Sequence, residues 1–173
     1  NIIMDEDDRF AIITRYLISE YDFFSWDGSP GGEVIDTKAQ GENMGPTSTK
    51  FATLVGLYKM NQHLLWDHTY QSQYGNPSPT NDVSQDTPTE EEVDDLQSHL
   101  MKIWDCLFFT LPILKENPLH MRQMNADGSD GKDNILWFRP VAQTKLLAPL
   151  ARRLMDEKNI TQNSSEDEIK KSL

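Results

Sequence analysis

The best basic cluster in this chain lies in one stretch: Arg139, then Gln143, Lys145, Arg152 and Arg153. Guanidinium, ammonium and amide donors suit phosphate oxygens or a partner's carboxylates. On a helix, Lys145 and Arg152 stand two turns apart and would share a face. These five residues are the candidate nucleic-acid or partner contact. The plainer reading is an amphipathic helix with a charged outer face, since Asp156 and Glu157 follow closely.

Carboxylates and histidines offer other chemistries. Asp5-Glu6-Asp7-Asp8 could begin a metal site, but only Asp5 and Asp8 would share a helix face. Two-metal hydrolysis would need further carboxylates from elsewhere, and a helix dipole already accounts for acids at a helix start. Asp127-Gly128-Ser129-Asp130-Gly131-Lys132-Asp133 resembles a calcium loop. Counted from Asn125, it puts Asp130 where an EF-hand needs glycine and Leu136 where it needs glutamate. His63 and His68 are not spaced to stack on one helix face, and His99 and His120 complete no H-E-x-x-H. Cys106 lies beside Leu107 in an apolar helical pattern and reads as a buried, inert thiol. There is no P-loop, no G-x-G-x-x-G and no G-x-S-x-G, which argues against a self-contained nucleotide enzyme or serine hydrolase. No catalytic residue, metal ligand or cofactor is assigned.

Three Trp-Asp pairs, Trp26-Asp27, Trp66-Asp67 and Trp104-Asp105, recur at nearly the period of a WD-repeat propeller. Each blade would need four strands, yet Trp66 and Trp104 fall on helical patterns, and periodicity outranks a dipeptide.

The elements that must position these groups are helices. Asp5 to Tyr21 reads as one, capped by Asp5, with Phe10, Ile13, Leu17 and Tyr21 on its apolar face. Residues 27–49 form a Gly/Pro-punctuated loop with a possible strand at Glu33-Val34-Ile35-Asp36. A second helix covers about Thr53 to Trp66, followed by a polar loop over 71–88. Thr89-Glu90-Glu91-Glu92 is a capping box that opens the central core helix, whose apolar positions run from Val93 to Leu111 until Pro112 ends it. Asn125 to Asn134 is a Gly/Asp loop, and Ile135-Leu136-Trp137-Phe138 suits a short buried strand. Pro140 then starts a helix to about Asp156, with Ala142, Leu146, Leu147, Leu150 and Leu154 inward and a kink or break at Pro149. Ser165-Glu166-Asp167-Glu168 is a second capping box. The expected fold is mainly α, a helical domain with long polar loops and at most a few short strands; the alternative is α+β. Residues 1–158 form one helical domain, and 159–173 a polar tail or the start of a truncated helix.

Charge divides the 173 residues unevenly. Residues 1–114 carry 6 Lys/Arg and 19 Asp/Glu, whereas 115–158 carry 8 and 6. An acidic body repels phosphates at long range, so any DNA contact falls to 115–158 or to basic parts of a longer protein. No apolar run approaches a membrane span and the first residues do not form a signal peptide. One cysteine leaves no internal disulfide and fits a reducing cytoplasm. Outside a secretory context, Asn159-Ile160-Thr161 and Asn163-Ser164-Ser165 match glycosylation sequons by chance. The first residue, Asn1, suggests an excised fragment or a processed terminus.

Two stretches together resemble the later part of bacterial DGQHR-domain proteins. One is Ile2-Ile3-Met4-Asp5-Glu6-Asp7-Asp8 with its helix, then Ser48-Thr49-Lys50-Phe51-Ala52-Thr53-Leu54-Val55-Gly56-Leu57-Tyr58. The other is Asp133-Asn134-Ile135-Leu136-Trp137-Phe138-Arg139-Pro140-Val141-Ala142-Gln143. That family includes the DndB-type proteins associated with DNA phosphorothioate modification. The Asp-Gly-Gln-His-Arg signature is absent here; the resemblance implies that it lies upstream of Asn1 and that this chain is a C-terminal part. It further implies a cytoplasmic bacterial protein linked to DNA modification or defence. Its role would be regulatory or protein–protein contact, with weak DNA contact through Lys145, Arg152 and Arg153. Two alternatives stand beside it: a metal-dependent nuclease using Asp5, Asp8 and remote carboxylates, and an unrelated helical interaction module.

Overall fold

The computed structural model describes residues 8–25, 34–45, 47–65, 89–116 and 135–173. Among the described residues the chain is mainly helical, with two very short parallel strands. Helix α1 spans Arg9–Glu20, and a short α2, Asp22–Ser25, follows it. The α1 cap is Asp8, one turn later than expected: its Oδ1 accepts from the backbone N–H of Phe10 and Ala11 at 2.8 and 3.1 Å. Asp5 lies outside the described residues.

Strand β1, Ile35–Asp36, pairs in parallel with β2, Ala52–Thr53. The first falls where a strand was anticipated; the second lies in what reads as the approach to a helix. Thr53 does both jobs. Its hydroxyl oxygen accepts from the Gly56 N–H at 3.0 Å and so caps α3, Leu54–Leu65. A Cβ on Gly56 would press on that same hydroxyl at 3.2 Å, which explains glycine in this first turn.

Helix α4, Glu90–Thr110, is the central element. Thr89 caps it by accepting from the Glu92 N–H at 3.2 Å. The reciprocal half of the capping box is replaced, because the Glu92 carboxylate forms an ion pair with the buried Arg9 of α1. A charge already buried gains more from a partner than a cap N–H at the solvent edge does. Pro112 ends the α-helical pattern, and Pro112–Lys115 tightens into a 3-10 turn.

Ile135-Leu136-Trp137-Phe138 is not a strand. Leu136–Phe138 forms a 3-10 turn that buries only Phe138 and leaves Leu136 exposed. Pro140 then opens α5, Pro140–Ala142, as its fixed φ favours. Gln143–Leu147 continues as a π turn, and α6, Ala148–Glu157, completes the run. Helix α7, Glu166–Ser172, has the full capping box anticipated at Ser165 and Glu168.

One apolar core unites these elements. Phe24, Phe51, Trp104, Phe108 and Phe138 meet in edge-on and tilted ring contacts, with Trp104 against Phe24 at 5.1 Å between centroids. Ile160 and Ile169 belong to the same core, so position 158 is not a packing boundary and 159–173 is not a solvated tail. Trp104, from the propeller-like spacing, sits inside α4. Its indole N–H donates to Asn61 Oδ1 at 3.0 Å, while Asp105 accepts from the Tyr21 hydroxyl at 2.7 Å. The pair is two unrelated helical residues; Trp26 and Trp66 lie outside the described residues.

Candidate interaction surface

The run from Arg139 to Glu157 holds all five candidate contact residues, and its geometry turns on Pro149. A proline at that position cannot donate to the carbonyl four residues earlier. The helix widens just before it: the Ala148 N–H reaches back to the Gln143 carbonyl, one residue further than in an α-helix. Such a turn inserts one residue and rotates everything beyond it by about a quarter turn. The anticipated kink or break at Pro149 therefore takes the form of a change of phase.

That change redistributes the side chains. Ala142, Leu147, Ala148, Ala151 and Met155 face the core. Leu146 and Leu150, expected inward, are 42% and 44% exposed, next to Val141 at 67%. Lys145 and Arg152 do not share a face: Lys145 is exposed, and Arg152 is buried. The spacing argument failed because it assumed a uniform period of 3.6 residues.

Two of the five candidates are interior supports. Gln143 Nε2 donates to the Phe51 carbonyl at 3.1 Å, joining the π turn to the segment entering β2. Arg152 Nη1 donates to the Leu64 carbonyl at 3.1 Å, at the C-terminal end of α3, where the helix dipole favours a cation. Its Nη2 lies 2.8 Å from Asp156 Oδ1, an ion pair off the ideal hydrogen-bonding line. The other candidates are more open. Arg139 precedes Pro140 and is half-buried. Arg153 is exposed and pairs with Glu157 at 3.2 Å.

Lys145 borders a polar cluster that sequence spacing could not reveal. Glu42, from the loop after β1, pairs with Lys59 of α3 and accepts from the Thr144 hydroxyl at 2.9 Å. Burial opposes ionisation of Glu42, but contacts with Lys59 and Thr144 and attraction from Lys145 outweigh it and hold its carboxyl below the usual range. The His63 pKa is lowered as well, by burial first and then by Lys145, so the imidazole stays neutral more readily than a free one. This cluster clamps the loop, α3 and the π turn together.

Among the described residues, the acidic and histidine candidates do not assemble. Asp8 spends Oδ1 on its cap and Oδ2 on the Tyr58 hydroxyl at 2.5 Å. Among the described residues, no three His, Cys, Asp or Glu side chains gather as a metal site would require. His99 is buried in α4, and Cys106 is buried with its thiol pushed up to about 11 by burial. His68, His120 and the Asp127–Asp133 stretch lie outside the described residues, as do residues 71–88 and 125–134, where loops are expected from the sequence. Among the described residues, no helix is long and apolar enough to cross a membrane.

The outer side of this run exposes three apolar side chains, Val141, Leu146 and Leu150, and two cations, Lys145 and Arg153. No family model, no curated protein and no solved structure matches this chain.

Proposed function

We propose that this chain is a protein-interaction or regulatory module whose docking face is the outer side of the Arg139–Glu157 run. The observation that carries this reading is the phase change before Pro149, which leaves Leu146 and Leu150 exposed on a run that also exposes Val141, Lys145 and Arg153. A phosphate-binding face would present its donors outward, yet Gln143 and Arg152 are spent inside. Apolar side chains with flanking cations complement a protein segment that offers an apolar ridge bordered by carboxylates. The setting, a cytoplasmic protein of bacterial DNA modification or defence, rests on the resemblance of the Ser48–Tyr58 and Asp133–Gln143 stretches to DndB-type DGQHR-domain proteins. In that setting DNA contact is weak and confined to Lys145 and Arg153.

The test uses two titrations of the whole chain. In the first, a synthetic helical peptide with leucines on one face and glutamates beside them is added, and amide NMR shifts are followed. Shifts should concentrate in residues 141–153 and vanish in Leu150→Asp or Lys145→Glu. In the second, plain and phosphorothioate duplex DNA are titrated at about 50 and about 200 mM salt. Tight, strongly salt-dependent DNA binding would overturn the emphasis on protein partners, and peptide shifts scattered elsewhere would displace the docking face.

A further inference from the structure

His99, Lys102 and Cys106 stand three and four residues apart on α4, along one face. Residues 159–173 rest on that face. Lys102 Nζ donates to the carbonyls of Gln162 and Ser164 at 3.3 Å each. Cys106 Sγ lies 3.5 Å from the Glu166 carbonyl, and Ile160 and Ile169 are buried in the core. His99 is only 1% exposed, and neither of its ring nitrogens has a hydrogen-bond partner among the described residues.

The charges that bear on His99 are both positive: Lys102 from its own helix and Arg152 from α6. The Asp156 carboxylate is engaged by Arg152. On α3, His63 responds to Lys145 rather than to this group. On α7, Glu166, Asp167 and Lys170 act on Cys106. An imidazolium at position 99 would thus be a buried cation beside the half-buried Lys102 and the buried Arg152, with no acceptor to meet it, and water is its remedy. Opening one short element supplies that water at less cost than unfolding the whole chain.

We infer that residues 159–173 form an acid-releasable clasp: protonation of His99, between Lys102 and Arg152, detaches α7 from α4. The thiol of Cys106 reports the event, because Cys106 is the chain's one cysteine and α7 covers it. With the His99 imidazole held down to about 4 when closed and near 6.5 when open, clasp opening rises roughly thirty-fold between about pH 7.5 and about pH 5.

The experiment measures Cys106 modification by 4,4′-dithiodipyridine, which reacts with thiols in mild acid, across that range. Rates are normalised to the denatured chain at each pH, with far-UV circular dichroism recorded in parallel. Cys106 reactivity should climb about thirty-fold while helicity stays near its neutral value. His99→Gln should flatten the profile, and His63→Gln should leave it intact. A flat profile in the unaltered chain overturns the clasp, as does loss of helicity in step with reactivity. A pH response that survives His99→Gln, or disappears only in His63→Gln, also overturns it. Hydrogen exchange of the 159–173 amides in the unaltered chain decides the matter should His99→Gln not fold: acceleration must be confined to that segment.

Discussion

At the scale of single residues, two adjacent arginines have opposite jobs. Arg152 is buried and holds the last turn of α3 through Leu64; Arg153 is exposed and makes an i,i+4 pair with Glu157. Arg152→Ala should cost about 2–3 kcal/mol, because a buried carbonyl loses its donor and packing is lost. Arg153→Ala should stay within about 0.5 kcal/mol, the usual scale for an exposed pair. Urea unfolding of both variants checks this, and equal losses would contradict the assignment. Asn61 is a further test. It donates to Thr14 and accepts from the Trp104 indole, each at 3.0 Å in the core. Asn61→Ala orphans both partners and should cost about 2–4 kcal/mol by the same measurement.

At the scale of elements, the π turn decides what the last third of the chain presents to solvent. It places Leu147 inside and Leu146 and Leu150 outside. Leu147→Ala should therefore lose about 2–4 kcal/mol, in the range of buried leucine truncations. Leu146→Ala and Leu150→Ala should each lose less than about 1 kcal/mol. Thermal melts of the three variants separate this phase from a regular helix, in which Leu146 and Leu150 would be the costly positions. The N-terminal caps offer a second contrast. Thr89→Ala removes one cap acceptor and should cost about 1 kcal/mol. Asp8→Ala removes a cap and the acceptor of the Tyr58 hydroxyl, so its cost should be about twice that.

At the scale of the whole molecule, pH sensitivity follows from one buried and one half-buried imidazole in an acidic chain. Burial, then Lys102 and Arg152, lowers the His99 pKa to about 4 in the folded state. In the unfolded chain it protonates near 6.5, so the unfolded state binds the proton more readily. The His99 contribution is complete above about pH 6.5 and is lost as pH falls toward about 4. Its size is about 3 kcal/mol. Denaturant midpoints measured between those limits should fall with acid, and His99→Gln should remove most of the slope. His63 shifts in the same direction and adds to the effect.

Much of the architecture was legible because apolar spacing is a local property. The α4 stripe from Val93 to Phe108, the Ser165 capping box and the helical α3 all follow from residues within a turn or two of each other. The candidate surface was legible only in part. Its location after Pro140 was readable, but which of its cations face outward was not. That depends on a one-residue change of helical phase, and the phase is settled by which rotation buries Gln143 against Phe51 and Arg152 against Leu64. Residues 92 and 88 positions apart in the chain make those contacts. The Glu42 clamp and the Arg152 cation that bears on His99 arise in the same way. Sequence alone determined where helices start, where they stop and which apolar faces they carry. Tertiary packing alone decided which polar side chains became supports and which remained on the surface, because distant partners set the cost of burying each one.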